Sequence, residues 1–159
     1  MRKLLIVIGI VIVIILGTII SANICVNSED IYIDMKGLAN SLIEARIFED
    51  SLEPVDKDMI LNKYNLDSSK VKDLVSYVGT GATAEEILIL EMNSKDDLRQ
   101  AKINIEDEIE ERKADFASYL PKEVYKLENY SLENYGNYLI LCISNDTNKA
   151  NDIIKQYID

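Results

Sequence analysis

Glu85 and Glu86 stand side by side ahead of the apolar run Ile87-Leu88-Ile89-Leu90. Paired carboxylates are a combination that general acid–base chemistry uses. Neighbours in a strand point to opposite faces, so these two are not expected to share a substrate. Glu86 is expected instead to close a hydrogen bond or salt bridge at the strand start. Histidine is absent from the 159 residues, which removes imidazole catalysis and imidazole metal ligation. Cys25 and Cys142 lie far apart. Cys142 sits in an apolar run, where burial raises a thiol's pKa and hides it. Gly79-Thr80-Gly81 is not followed by Gly-Lys-Ser/Thr and reads as a turn rather than a phosphate loop. Asp146-Thr147-Asn148 begins like a calcium loop, but Ala150 stands where an oxygen ligand is needed and Asn151 replaces the turn glycine, so helix capping is expected. The acidic run from Glu106 to Glu111, with Asp115, reads as the solvated face of a helix. No catalytic, cofactor-binding or metal-ligating residue is named by these patterns.

Tyrosine is the more suggestive class, with nine copies, five of them between positions 119 and 138. Its ring combines apolar area with a polar tip, which suits binding surfaces. Tyr119, Tyr130, Tyr135 and Tyr138 are the candidate interaction surface, with Tyr125 in the same cluster. Ring burial in a small sheet is the competing explanation.

The composition sets where such a surface would stand. The chain is 48% apolar with a net charge of −11, and every acidic residue lies after position 26. Beyond that point 15 basic and 28 acidic residues give −13, which makes nucleic acid an improbable partner. Residues 4–26 carry no charge, and as a helix they would reach roughly 35 Å, enough for a hydrocarbon core of about 30 Å. Arg2 and Lys3 before the run, and Glu29 and Asp30 after it, place the N-terminus inside and the rest outside. A cleaved signal peptide is disfavoured because Ile20 and Ile19 precede Ala22 and Ser21 where a small residue is needed. Lipidation at Cys25 is disfavoured because Ala22, Asn23 and Ile24 make a poor lipobox. The expected division is a cytoplasmic end at 1–3, a transmembrane anchor at 4–26, a linker at 27–33 and an extracytoplasmic α+β domain at 34–159.

Within that domain, Asp34 caps a first helix running to about Arg46, and Asp56 caps a short second one through Met59, Ile60 and Tyr64. Residues 71–78 and 87–90 read as a β-hairpin around Gly79-Thr80-Gly81. Ser94 opens a long helix through Leu98, Ala101, Ile105, Ile109, Phe116 and Leu120, stopped by Pro121. A second hairpin is expected from 124–132 and 138–143 around Gly136, followed by a helix capped at Asp146 or Thr147. The continuous apolar runs belong in the middle of the sheet and the mixed ones at its edges. The predicted fold is therefore α+β, with an antiparallel four-stranded sheet of order 1-2-4-3 and two short N-terminal helices, and either those helices or a partner must cover its second face.

Several motifs in order, Glu85-Glu86-Ile87, Tyr119-Leu120-Pro121, Leu127-Glu128-Asn129, Gly136-Asn137-Tyr138 and Ile143-Ser144 with Asp146, give the outer part its likeness. Over roughly positions 32–157 it resembles a bacterial family known as domain of unknown function 4358, whose members usually sit behind an N-terminal anchor or lipobox. Glu86, Pro121, Asn129 and Gly136 are its motif positions here. The resemblance implies no activity and no catalytic residue. The expected function is a membrane-tethered extracytoplasmic binding or interaction module, single-pass in the cytoplasmic membrane, whose partner is a protein or an envelope component. No cofactor is expected. A carboxylate-based envelope enzyme, or a structural or regulatory subunit acting through its anchor, are the alternatives.

Overall fold

The computed structural model describes residues 31–158. The expected anchor at 4–26 lies outside them. Among the described residues no helix is long and apolar enough to cross a membrane.

The chain runs α1 (Met35–Glu44), β1 (Glu53–Pro54), α2 (Lys57–Lys63), β2 (Val71–Val78), β3 (Glu86–Met92), α3 (Lys95–Tyr119), a 3-10 turn (Pro121–Glu123), α4 (Val124–Glu128), β4 (Ser131–Tyr135), β5 (Tyr138–Ile143) and α5 (Thr147–Ile158). The sheet has five strands, not four, in the order β1-β2-β3-β5-β4, and every pairing is antiparallel. The added strand pairs Glu53 with Val78 and Pro54 with Tyr77. Proline lacks a ladder donor and is tolerated at such an edge, and the mixed pattern of β2 therefore does not mark the sheet's outer border. The other four strands keep the relative order expected of them.

Local chemistry explains where the helices begin. Asp34 accepts from the Gly37 amide at 3.1 Å, Asp56 from Asp58 at 2.8 Å, Ser94 from Asp97 at 3.1 Å and Asp146 from Lys149 at 3.0 Å. Each side-chain oxygen satisfies an amide that the first helical turn leaves open. Leu120 ends α3 ahead of Pro121, as the steric restriction before proline requires.

The segment 124–132 is the second correction. Pro121 opens the 3-10 turn and α4 continues it to Glu128, so only 131–135 forms a strand. Val124 and Leu127 are three apart and both pack toward the α3 side of the core. That spacing puts both on one face of a helical turn, whereas in a strand they would point to opposite faces, and the proline at its head starts the turn.

The two central strands alternate strictly. Leu88, Leu90, Leu139, Leu141 and Ile143 face α2, α3 and α4, whereas Ile87, Ile89, Ile140 and Cys142 face α1 and α5. Burying each such side chain contributes about 1.5–3 kcal/mol. The second face is thus covered by α1 and the C-terminal α5, neither by both N-terminal helices nor by a partner, and α2 joins α3 on the opposite side. At Gly37 α1 and α5 come close enough that a Cβ would displace the hydroxyl end of the exposed Tyr157 side chain of α5. Ile33, assigned to the linker from sequence, is buried in the same layer, while Met59, assigned to an apolar stripe, is exposed.

The β4–β5 hairpin turns at Gly136-Asn137, between the paired Tyr135 and Tyr138. Gly136 has φ of 57°, as the first position of a two-residue hairpin turn demands. Gly136→Ala is expected to cost about 1–2 kcal/mol, since L-residues are disfavoured at that backbone angle. Thermal unfolding of the two proteins measures it.

Candidate functional site

Two constellations concentrate polar side chains, and they differ in whether those groups are already engaged. The first surrounds residues 84–86. Glu86 is fully buried and accepts from Lys63 Nζ at 2.6 Å, Tyr64 Oη at 2.7 Å and Arg112 at 2.8 Å. Arg112 also donates to the Ala84 carbonyl at 3.0 Å. Burial pushes the Glu86 carboxyl up, but Lys63 and Arg112 pull it down further, so it ends below the ordinary glutamate range. Burial, reinforced by the Glu86 charge, drives the Tyr64 phenol well upward. Glu85, equally buried, faces different partners: the amides of Glu49 (2.9 and 3.0 Å) and Asp50 (2.9 Å), and Lys126 Nζ at 3.0 Å. Lys126 is only 3% exposed and also meets Glu123 at 3.0 Å, while Glu123 accepts from the Ala84 amide at 3.1 Å.

All these donors and acceptors are spent on one another. The 50s loop is held the same way: Asp50 accepts from the Thr80 amide and hydroxyl, each at 2.7 Å, which fixes the Gly79-Thr80-Gly81 turn. The sign of the pH dependence follows from Glu86. Its folded pKa lies below its unfolded one, so its stabilisation is present above the ordinary glutamate range and is lost as the pH falls through the depressed value. Urea unfolding at descending pH should show this acid loss, and Glu86→Gln should flatten it.

The second constellation is a surface cleft of about 390 Å³ between residues 125–130, at the end of α4, and 145–148, at the start of α5. Its walls are tied by backbone-directed bonds. Asn129 Nδ2 donates to the Tyr125 carbonyl at 2.8 Å, Thr147 Oγ1 donates to the Asn129 carbonyl, and the Asn145 amide donates to the Ile47 carbonyl at 3.0 Å. The hydroxyl of Tyr125 and the side-chain amides of Asn145 and Asn148 line the cleft and make no hydrogen bond among the described residues. Tyr130 is half-buried, and burial, then Glu106 and Glu110, raise its phenol.

The tyrosines do not form one patch. Tyr138 is 3% exposed in the α1–α5 layer, where Tyr135 also packs, whereas Tyr130 packs against the opposite layer. Tyr119 is exposed, its ring 5.1 Å from that of Phe116. Of the predicted set only Tyr130 lines the cleft, joined by Tyr125. Among the motif positions, Glu86 lies in the buried network, Pro121 opens the 3-10 turn, Gly136 makes the hairpin turn and Asn129 lines the cleft. Cys142 is buried and its thiol is pushed up to about 12.

Sequence reasoning missed the cleft's Asn145 and Asn148, and the buried cations Lys126 and Arg112. Arg112 had a readable signal: it falls between Ile109 and Phe116 at spacings of three and four, on the apolar stripe of α3. The asparagines had only the polar run after β5.

Fold and site together define a small α+β domain with a charge-tied sheet end and an open polar cleft. The family model described as Domain of unknown function (DUF4358) matches residues 47–144, and the chain belongs to that family. The match runs from before β1 to just past β5, so α1 and α5 fall outside it, as does Asp146. No curated protein and no solved structure matches the chain.

Proposed function

We propose that the protein is a membrane-tethered extracytoplasmic binding module whose partner is a protein or an envelope component. The observation that carries the binding reading is the cleft at 125–130 and 145–148, where an exposed tyrosine and two side-chain amides are positioned by bonds that leave them unused. Polar groups with no internal partner give up no intramolecular hydrogen bond when a ligand engages them. The tether and the orientation rest on the uncharged run 4–26 and its flanking charges. A carboxylate enzyme lacks comparable support, because Glu85 and Glu86 are each surrounded by fixed donors.

A photo-crosslinking residue at position 148 tests the binding reading, with a second protein carrying it at Asp107 on the exposed face of α3. Adducts concentrated at 148 are expected in the cell of origin. Equal adducts at both positions, or none at 148, would overturn the reading. For the tether, a C-terminal fusion to a phosphatase that is active only outside the cytoplasm should be active, and an inactive, stably expressed fusion would contradict the orientation.

A further inference from the structure

We propose that the open edge of β4 receives an extended segment of another polypeptide as an added strand, and that this segment carries basic side chains on one face and apolar ones on the other. The residues of β4 are not among those that line the cleft. β4 ends the sheet on its side and pairs with β5 alone. In a two-residue hairpin the residues beside the turn exchange both their bonds, and bonded and unbonded pairs then alternate along the ladder. Tyr135, Glu133 and Ser131 therefore spend their backbone groups on β5, while Leu132 and Asn134 turn theirs outward. The Met92 amide, which donates to the Asn137 carbonyl at 2.9 Å, fixes the same alternation from the far side of β5. Among the described residues those outward amides and carbonyls meet no partner. Donors and acceptors in line along an edge are what an added strand pairs with. The opposite edge offers less, because β1 has two residues and one of them is Pro54.

The side chains along β4 choose the partner. Ser131 bonds Asn151 of α5 and Tyr135 packs in the α1–α5 layer, so Glu133 between them faces the same side. Its carboxylate is half-buried and has no hydrogen bond or ion pair among the described residues, and Lys155, a helical turn past Asn151, does not pair with it. Residues opposite each other in paired strands have Cβ atoms about 4.5–5.5 Å apart, so a lysine or arginine set against Glu133 is attracted and an acidic residue repelled. The same rule disfavours a second copy of this chain. The antiparallel register that pairs all five residues of β4 with themselves sets Glu133 against Glu133. The charge of −13 beyond residue 26 acts in the same direction. On the other face Leu132 is half-buried against the α3 layer, and an apolar residue opposite it extends that cover.

The test titrates the full chain, in a zwitterionic detergent, against a fluorescent peptide in which valine and lysine alternate. Two further peptides accompany it, one with glutamate in place of lysine and one with every backbone amide N-methylated at unchanged charge. The lysine peptide should bind at least about tenfold tighter than the methylated one, the effect of losing two or more hydrogen bonds. It should also bind tighter than the glutamate peptide, and Glu133→Lys should reverse that preference although the chain stays net negative. Asn134→Pro removes one outward amide at an exposed position and should weaken the lysine peptide at least about fivefold with an unchanged thermal unfolding midpoint. If that variant unfolds early, the methylated peptide and Glu133→Lys decide. Equal binding of the lysine and methylated peptides, no binding of either, or a Glu133→Lys chain that still prefers lysine would overturn the proposal. Sedimentation of the chain alone checks the other occupant: a dimer abolished by Asn134→Pro would assign the edge to a second copy and overturn the basic partner.

Discussion

Glu86→Ala is expected to lower the unfolding free energy by about 3–5 kcal/mol, the usual cost of removing one partner from a buried charge cluster. The substitution leaves Lys63, Tyr64 and Arg112 aimed at an empty position at the head of a central strand. Two of those partners are cations, so the loss is one of uncompensated charge as well as of hydrogen bonds. Small domains are stable by only about 5–15 kcal/mol, and the variant should sit near its unfolding transition. Urea denaturation followed by circular dichroism measures this. Breaking the exposed Lys102–Glu106 pair, whose atoms are 3.9 Å apart, should change stability by less than about 1 kcal/mol in the same assay. A Glu86 variant that behaves like that surface control would contradict the structural role assigned to the cluster.

Lys126→Met should have an effect of similar size, about 3–5 kcal/mol, for the opposite reason. Here the cation is removed, and the buried carboxylates of Glu85 and Glu123 lose the group that lies 3.0 Å from each. Glu85 keeps its amide donors from Glu49 and Asp50, so Glu123, left with the Ala84 amide, is the more exposed to the loss. The double variant Lys126→Met with Glu123→Gln should therefore be more stable than Lys126→Met alone by about 1 kcal/mol or more. Strict additivity of the two single effects would show that Lys126 and Glu123 are not coupled.

How much of this was legible in the residues follows from how local each cause is. The caps at Asp34, Asp56, Ser94 and Asp146 act within three residues, and the apolar runs at 87–90 and 138–143 announce their burial directly. The two-residue strand β1 has almost no pattern of its own and exists because β2 offers it an edge. The helical reading of 124–128 depends on a proline three residues upstream and on packing against α3. Lys126 pairs with Glu85, 41 positions away, and Tyr64 with Glu86, 22 positions away. No periodicity encodes such partners. The tyrosines were visible as a class, but Tyr135 and Tyr138 pack in one layer from their strands while Tyr130 reaches the other from the link before β4, and the cleft forms only where the chain after β5 returns beside α4.

The central claim, that the domain works as a binding module through that cleft, is tested most directly by hydrogen exchange of the full chain with and without a detergent-solubilised envelope fraction from its own cell. Slower exchange at 125–130 and 145–150, with the outer face of α3 unchanged, is the result the account predicts. Protection elsewhere, with those two segments exchanging as in the free protein, would contradict it.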